Sequence, residues 1–444
     1  MTRYDTAYLL ERAWVDDALH DEVLVEVSGG RFSRVEVGGR VALDADPAPT
    51  RLAGITLPGL ANTHSHAFHR ALRGRTQRDR GTFWSWREQM YAVAGRIDPD
   101  AMFELARAVY REMAAAGITT VGEFHYLHHQ AGGTPYEEPN LMGTLLVEAA
   151  REAGIRITLL DACYLAGGFG EPLEGVQRRF GDGDAERWAL RVEALAKGVA
   201  GRDHARVGAA IHSVRAVPAD QLRVVAEAAV GRPLHVHLSE QPAENEGCRA
   251  AYGVSPTRLL HDAGVLGRGT TVVHATHVDA WDVALLGVTG TTVSLCPTTE
   301  RDLADGVGPA LRLHEAGSPL TLGSDSQAVV DLFEEMRATE LHERLATQRR
   351  GHWRAEQLLA AGVGGHASLG WDDAGRIAVG QRADLVTVDS RSVRTAGTGA
   401  DAGTVVFAAS AADVTHVVVD GWVLGREVGE VGRELDDVVG RLLS

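Results

Sequence analysis

The sequence predicts an α/β protein: a (β/α)8, TIM-like barrel with a small β-sandwich domain built from both chain termini. Three observations carry this. Eight short apolar, β-prone runs recur along the middle of the chain with helical stretches between most of them, and eight is the number that closes such a barrel. The two chain ends are rich in strand signals without helical periodicity. Nearly every one of the eight runs ends in a polar or titratable residue, and the strand C-termini are where a barrel of this kind carries its chemistry.

At the N-terminal end, residues 23–27 and 32–37 read as strands joined by Ser28-Gly29-Gly30-Arg31, a hairpin signal. Residues 383–388 and 414–419 have the same texture, with Asp420-Gly421 as a turn before Trp422-Val423. One small domain, residues 1–57 with 374–444, is expected, and the barrel then spans 58–373; two independent β appendages are the alternative. The barrel runs are residues 55–61, 118–121, 155–160, 207–211, 234–238, 271–273, 292–295 and 320–322. Helical stretches lie at 98–116, 141–153, 186–199 and 219–229, the last after Pro218, a good helix-start residue.

Composition narrows the partners. With 45% hydrophobic residues, the 444-residue chain can bury a large core. Its net charge of −16 argues against nucleic acid or an anionic membrane as partner, although local cations can still bind an anionic small molecule. Cys163, Cys248 and Cys296 are odd in number and widely spaced, which fits neither a disulfide framework nor a cysteine-based zinc site. The first 14 residues carry Asp5 and Glu11 and lack a basic segment followed by an apolar run, and no apolar stretch reaches membrane-spanning length. A soluble, cytoplasmic protein is expected, with a homodimer as its assembly.

The run at 55–61 reads as a buried strand with His64 and His66 just past its end. Residues two apart in an extended segment point to one side, so both imidazoles can meet a single metal. A lone His-x-His pair is weak evidence, but other strand ends supply companions: His212 after the fourth run, His237 in the fifth with Glu240 three residues on, His274 after the sixth and Asp325 after the eighth. Scattered core histidines have no reason to prefer strand ends. Three neutral imidazoles and one carboxylate suit a catalytic zinc, with iron(II) or manganese as alternatives, and the expected ligands are His64, His66, His237 and Asp325. His235 lies deeper in its strand and reads as a hydrogen-bonded core residue. One divalent ion would lower the pKa of a bound water from 15.7 towards about 7. Asp325 can take the proton from that water, Glu240 can protonate a nitrogen of the substrate, and His274 can stabilise the developing oxygen charge.

These residues resemble the amidohydrolase superfamily and its one-metal deaminase branch. Further segments are similar to the formimidoylglutamate deiminase family: residues 64–68 (His-Ser-His-Ala-Phe), 83–88 (Phe-Trp-Ser-Trp-Arg-Glu), 123–129 (Glu-Phe-His-Tyr-Leu-His-His), 212–217 (His-Ser-Val-Arg-Ala-Val), 274–277 (His-Ala-Thr-His) and 323–326 (Gly-Ser-Asp-Ser). Two-metal relatives commonly bridge their ions with a lysine at the end of strand four. Here the only lysine is Lys197, before that strand, which ends in His212, so one metal is expected. The resemblance implies hydrolysis of N-formimino-L-glutamate to N-formyl-L-glutamate and ammonia in histidine breakdown, with metal-bound hydroxide attacking the formimino carbon. It places Arg87, Tyr126, His212 and Arg215 on this dicarboxylate, a task for which arginine is the suitable fork. Relatives often have Gln where this chain has His69, which can still donate a hydrogen bond to substrate. Another mononuclear aminohydrolase acting on a heterocyclic or nucleobase amine is the alternative; a non-catalytic metal-binding barrel would have no need of Glu240, His274 and Asp325 together.

Overall fold

The computed structural model describes residues 5–39, 48–77, 81–425 and 427–444. Residues 1–4, the start of the acidic N-terminal segment considered above, lie outside them. The described chain opens with β1 (Thr6–Val15), β2 (Ala18–Ser28), β3 (Arg31–Val37) and β4 (Thr50–Pro58). Eight strands follow: β5 (Leu60–Ser65), β6 (Ile118–His125), β7 (Arg156–Cys163), β8 (Ala205–Ile211), β9 (Leu234–Leu238), β10 (Thr270–His274), β11 (Thr292–Leu295) and β12 (Leu320–Leu322). The chain returns through β13 (Leu385–Val388), β14 (Val414–Val419) and β15 (Trp422–Val423). Strands β5 to β12 pair in parallel in chain order. The ring closes where the N–H of Asp325 donates to the His64 carbonyl (3.0 Å) and the N–H of His66 to the Asp325 carbonyl (3.0 Å). Every residue of β6, β7 and β9 is buried, which is why the barrel strands read as continuous apolar runs rather than alternating ones.

The remaining strands form a second sheet in the order β15-β14-β13-β4-β1-β2-β3, so both chain ends contribute to it. It wraps a core of its own that includes Tyr8, Leu10, Val23, Val25, Phe32, Leu52, Leu385 and Val418. The hairpin at Ser28–Arg31 pairs β2 with β3 as its glycines suggest; Gly29 and Gly30 have φ of 57° and 75°, a region glycine enters without strain.

Helices pack around the barrel where the periodicity places them. They include α1 (Phe83–Arg96), α2 (Pro99–Ala115), α3 (Leu141–Ala153), α4 (Ala185–Val199), α5 (Ala219–Ala228) and α6 (Pro242–Tyr252). The Asp98 side chain caps α2 by accepting from the N–H of Ala101, and Asp184 caps α4 through Arg187. Gly154, with φ of 77°, ends α3.

Three expectations need correction. The run at 55–61 is two strands, not one. Its first half belongs to β4, paired with β13, and the chain crosses at Gly59 into the barrel strand β5. A Cβ on Gly59 would stand 2.2 Å from Thr119 Oγ1, so only glycine makes this passage. His64 therefore lies on the strand, and His66 is the residue just past it. The second barrel run extends to His125, which puts Glu123 inside β6. The C-terminal stretch also contains helix Val428–Leu443, whose Leu435, Val438, Val439 and Leu442 are buried. It docks on α2 with Arg111–Glu434 and Arg441–Glu104 ion pairs. The β-rich texture before it masked its helical period.

Arg156, at the start of β7, ties the two sheets together. It is fully buried, pairs with Asp384 and with Asp420 (3.0 Å), and packs over the Trp371 ring at 5.7 Å.

Candidate metal centre and active site

Four ligand-type side chains converge at the barrel's C-terminal face: His64, His66, His237 and Asp325, all buried, with ligand atoms within 4.8 Å of one another. His237 Nε2 lies 3.0 Å from His64 Nε2 and 3.4 Å from His66 Nε2, while Asp325 Oδ1 is 3.4 and 3.3 Å from the same two histidine nitrogens. Three nitrogens bound to one tetrahedral ion at ~2.0–2.1 Å stand about 3.3–3.4 Å apart. The spacing therefore fits a single divalent ion. The tautomers fit as well. His66 Nδ1–H donates to the Phe124 carbonyl (2.9 Å) and His237 Nδ1–H to the His212 carbonyl (2.8 Å), leaving both Nε2 lone pairs facing the common point. Burial pushes all three imidazoles far below their usual pKa, so they are neutral. Burial works the other way on Asp325, but the protonated His274 beside it outweighs burial and holds the carboxyl below its usual range.

His235 is not part of this cluster. It lies beneath it in β9 and donates from Nε2 to the Ser368 carbonyl (3.2 Å), as a core residue does. Lys197 is on the exposed side of α4 beside Glu193 (3.6 Å), away from the centre. A second group of possible ligands, His125, His128 and Asp161, lies behind the barrel wall. Arg191 donates to both Asp161 oxygens at 2.7 Å and Trp188 Nε1 adds a third bond at 3.1 Å, so that carboxylate is already engaged by a cation.

Beside the cluster, His274 Nε2 lies 3.8 Å from Glu240 and 3.7 Å from Asp325. Its Nδ1 faces Glu300 at 3.3 Å. Burial opposes a charged imidazole, but Glu240, Glu300 and Asp325 together push His274 up to about 10. Burial raises the Glu240 carboxyl above its usual value. Several residues here occupy the left-handed region without being glycine: Ser239 (φ 50°), His274 (71°), Ala275 (51°) and Asp325 (41°). Such strain is held only where surrounding structure over-determines it, and here it marks the ends of β9, β10 and β12.

A cavity opens from Asp325 and His66 outward, past His69, Tyr126, His212, Arg215 and Glu240, to Arg87 on α1. All five substrate-side expectations thus line one space. His69 Nε2 and Tyr126 Oη are 2.9 Å apart, and the His69 ring packs on His66 with centroids 4.5 Å apart. Arg215 is held by Glu244 (3.1 Å) and approaches Glu240 (3.9 Å). Arg87 donates from Nε to Tyr91 Oη (2.7 Å) and has no carboxylate partner among the described residues.

Sequence reasoning missed several residues. Glu300 follows β11 as the other site residues follow their strands, and that position was the available signal. Tyr91 sits one helical turn after Arg87 on α1, and Glu244 lies in the first turn of α6, just after Glu240. Gln177, which donates to Tyr91 Oη (3.0 Å), gave no sequence signal, nor did Tyr164, whose ring packs on His212 at 4.4 Å.

A barrel with this donor set is an enzyme scaffold, and comparison assigns it: the amidohydrolase family model matches residues 55–424, and the chain belongs to the amidohydrolase family. It is a hydrolase acting on C–N bonds. Over 99% of its length it is 35% identical to the formimidoylglutamate deiminase of Pseudomonas aeruginosa, covering 100% of that protein. It is 28% identical to a 5-methylthioadenosine/S-adenosylhomocysteine deaminase of Pelotomaculum thermopropionicum, over 83% of this chain and 80% of that one. The crystal structure of an amidohydrolase from Brucella melitensis superposes with a TM-score of 0.90 at 32% identity, covering 99% of this chain and 100% of that one. Among the described residues no helix is long and apolar enough to cross a membrane.

Proposed function

We propose that this protein hydrolyses N-formimino-L-glutamate to N-formyl-L-glutamate and ammonia, a step of histidine breakdown, with one divalent ion, zinc by its donor set, held by His64, His66, His237 and Asp325. The observation that carries the reading is Arg87: a cation facing the cavity of an acidic protein, with no carboxylate partner among the described residues. A dianionic substrate supplies the missing charge. The similarity to a formimidoylglutamate deiminase over the whole chain supports the same substrate.

A bound ion would supply Lewis-acid activation of water. The chain's own residues do the rest. Asp325 would accept the proton of a water so activated. Glu240, made a better proton carrier by burial, delivers a proton to the departing nitrogen. Protonated His274, oriented by Glu300, donates a hydrogen bond to the oxygen as charge develops there. Arg87, Arg215, Tyr126, His212 and His69 hold the two carboxylates and keep the formimino carbon over the metal centre.

A heterocyclic amine is the second reading, favoured by the aromatic lining of the cavity (Trp86, Tyr91, Tyr164 and Phe180) and by relatives that deaminate nucleosides. A neutral ring system leaves Arg87 unpaired, which places this reading second. Ammonia release from N-formimino-L-glutamate, N-formimino-L-aspartate, adenosine and 8-oxoguanine separates the two. Turnover of the formimino-glutamate alone is expected; preferential turnover of a purine overturns the assignment.

A further inference from the structure

His277 belongs to the His-Ala-Thr-His segment, yet the reaction leaves it without a task. Its surroundings supply one. Glu240, the proposed proton carrier, makes no side-chain hydrogen bond within 3.5 Å among the described residues, and its nearest charged neighbours stand at 3.8 and 3.9 Å. The residues on either side of it are clamped. Ser239 is bound through every polar atom it has: its N–H donates to Glu244 (2.9 Å), its Oγ to Asn245 Oδ1 (2.8 Å), and its carbonyl accepts from the His277 N–H (3.0 Å). On the other side, the Gln241 side chain donates to Asp305.

These clamps join into a ring. Asn245 Nδ2 donates to the His277 carbonyl (2.6 Å), and His277 Nε2–H donates to the Asp305 carbonyl (2.7 Å). Asp305 is in turn tied to the helix Pro297–Asp302 through its N–H to the Glu300 carbonyl (2.9 Å). The ring therefore runs Ser239, Asn245, His277, Asp305, Gln241 and encloses Glu240. It links the ends of β9, β10 and β11 and holds Ser239 in the strained conformation that turns the chain out of β9. A proton carrier must stay unbonded to reach substrate, so its aim has to come from its neighbours.

We infer that His277, with Asn245 and Asp305, is a positioning residue that aims Glu240 at the substrate nitrogen by clasping the turn between β9 and α6. This rests on Glu240 being the proton carrier. Removing the clasp leaves the metal ligands and the carboxylate-binding arginines in place and misplaces one group, for which a loss of about 10- to 100-fold in kcat is expected. The KM and the metal content should stay as they are.

The test uses the full-length, metal-loaded chain and ammonia release from N-formimino-L-glutamate. His277→Leu should lose kcat at constant KM, and His277→Gln, whose amide N–H can replace the Nε2 donor, should recover most of it. Gln241→Met cuts the ring at another point and should reproduce the Leu effect. In a Glu240→Gln background His277→Leu should cost nothing further, because the group it aims is gone. Equal losses in both backgrounds, loss of metal, wild-type kinetics in His277→Leu, or failure of both His277→Leu and Gln241→Met to fold would each overturn the inference. Failure of the functional reading looks different: the unaltered chain releases no ammonia, or Glu240→Gln alone keeps wild-type kcat.

Discussion

At the residue scale, the two arginines assigned to the carboxylates are in different states. Arg215 neutralises Glu244, a buried carboxylate, whereas Arg87 donates to the Tyr91 hydroxyl, lies over the Trp84 and Tyr91 rings and has no carboxylate partner among the described residues. Arg87→Met should therefore lower kcat/KM tenfold or more, since a charge-assisted hydrogen bond is worth roughly 1.5–3 kcal/mol, and leave thermal stability alone. Arg215→Met should lower both, because leaving a buried carboxylate unpaired costs about 3–5 kcal/mol. Steady-state kinetics beside thermal unfolding of the two variants checks this, and identical profiles would refute the distinction. Glu240→Gln should keep its metal and lose about 10²–10⁴ in kcat, since an amide cannot deliver a proton. Combined with His274→Asn, whose single loss reports the oxygen-side contact, the defects should fall short of multiplying. If Glu240→Gln loses its metal as His237→Ala does, Glu240 is a ligand and the proton comes from elsewhere.

At the element scale, the ligand spacing depends on how closely β5 and β12 approach. Gly323 faces His64 so tightly that a Cβ would lie 2.8 Å from the His64 Cβ and 2.9 Å from its carbonyl oxygen. Gly323→Ala should force the strands apart and cut metal content per chain, measured by elemental analysis, while far-UV circular dichroism stays close to wild type. A fully metallated alanine variant would show that the approach is not critical. The loop after β13 is held differently, by Asp413. Burial alone would raise this carboxyl, but two bonds from Arg394 (2.8 and 2.9 Å) and those from Ser410 pull it down to about 2. A carboxyl depressed in the fold stabilises above its unfolded pKa of about 3.9, and that stability drains away as pH falls towards about 2. Asp413→Asn should thus unfold at lower denaturant than wild type at pH 7, with the gap closing between about pH 4 and 2. A gap that stays constant across that range would refute the linkage.

At the scale of the whole molecule, the barrel and the terminal sheet are coupled through one buried ionic group. Arg156 leaves the barrel to meet Asp384 and Asp420 of the second sheet, and Arg382 shares Asp420 (3.2 Å). Arg156→Met strands the buried Asp384 without its cation, so a destabilisation of about 3–5 kcal/mol is expected from chemical denaturation, with kcat of the folded fraction unchanged. A loss below about 1 kcal/mol would mean the sheets are held by apolar contact alone.

Residue identity and periodicity by themselves determined the number and order of the barrel strands, the helices α2 to α5 and the chemical type of the residues at the candidate metal centre. Burial of a parallel strand on both faces leaves an unbroken apolar run, and function concentrates polar groups at its end, so both signals are local. The split of the run at 55–61 was not local: Leu57 and Leu60 are equally buried, and only the crossing at Gly59 assigns them to different sheets. Helix Val428–Leu443 has an apolar stripe of its own, but its place against α2 is a tertiary fact. The same holds for the partners of the site. That Glu300 faces His274 and that Glu244 neutralises Arg215 are contacts between residues 26 and 29 positions apart, and that Arg87 has no carboxylate partner among the described residues is a fact about a whole cavity. A side chain's type is written in the chain, whereas its charge balance depends on which neighbours the closed barrel brings within a few ångströms of it.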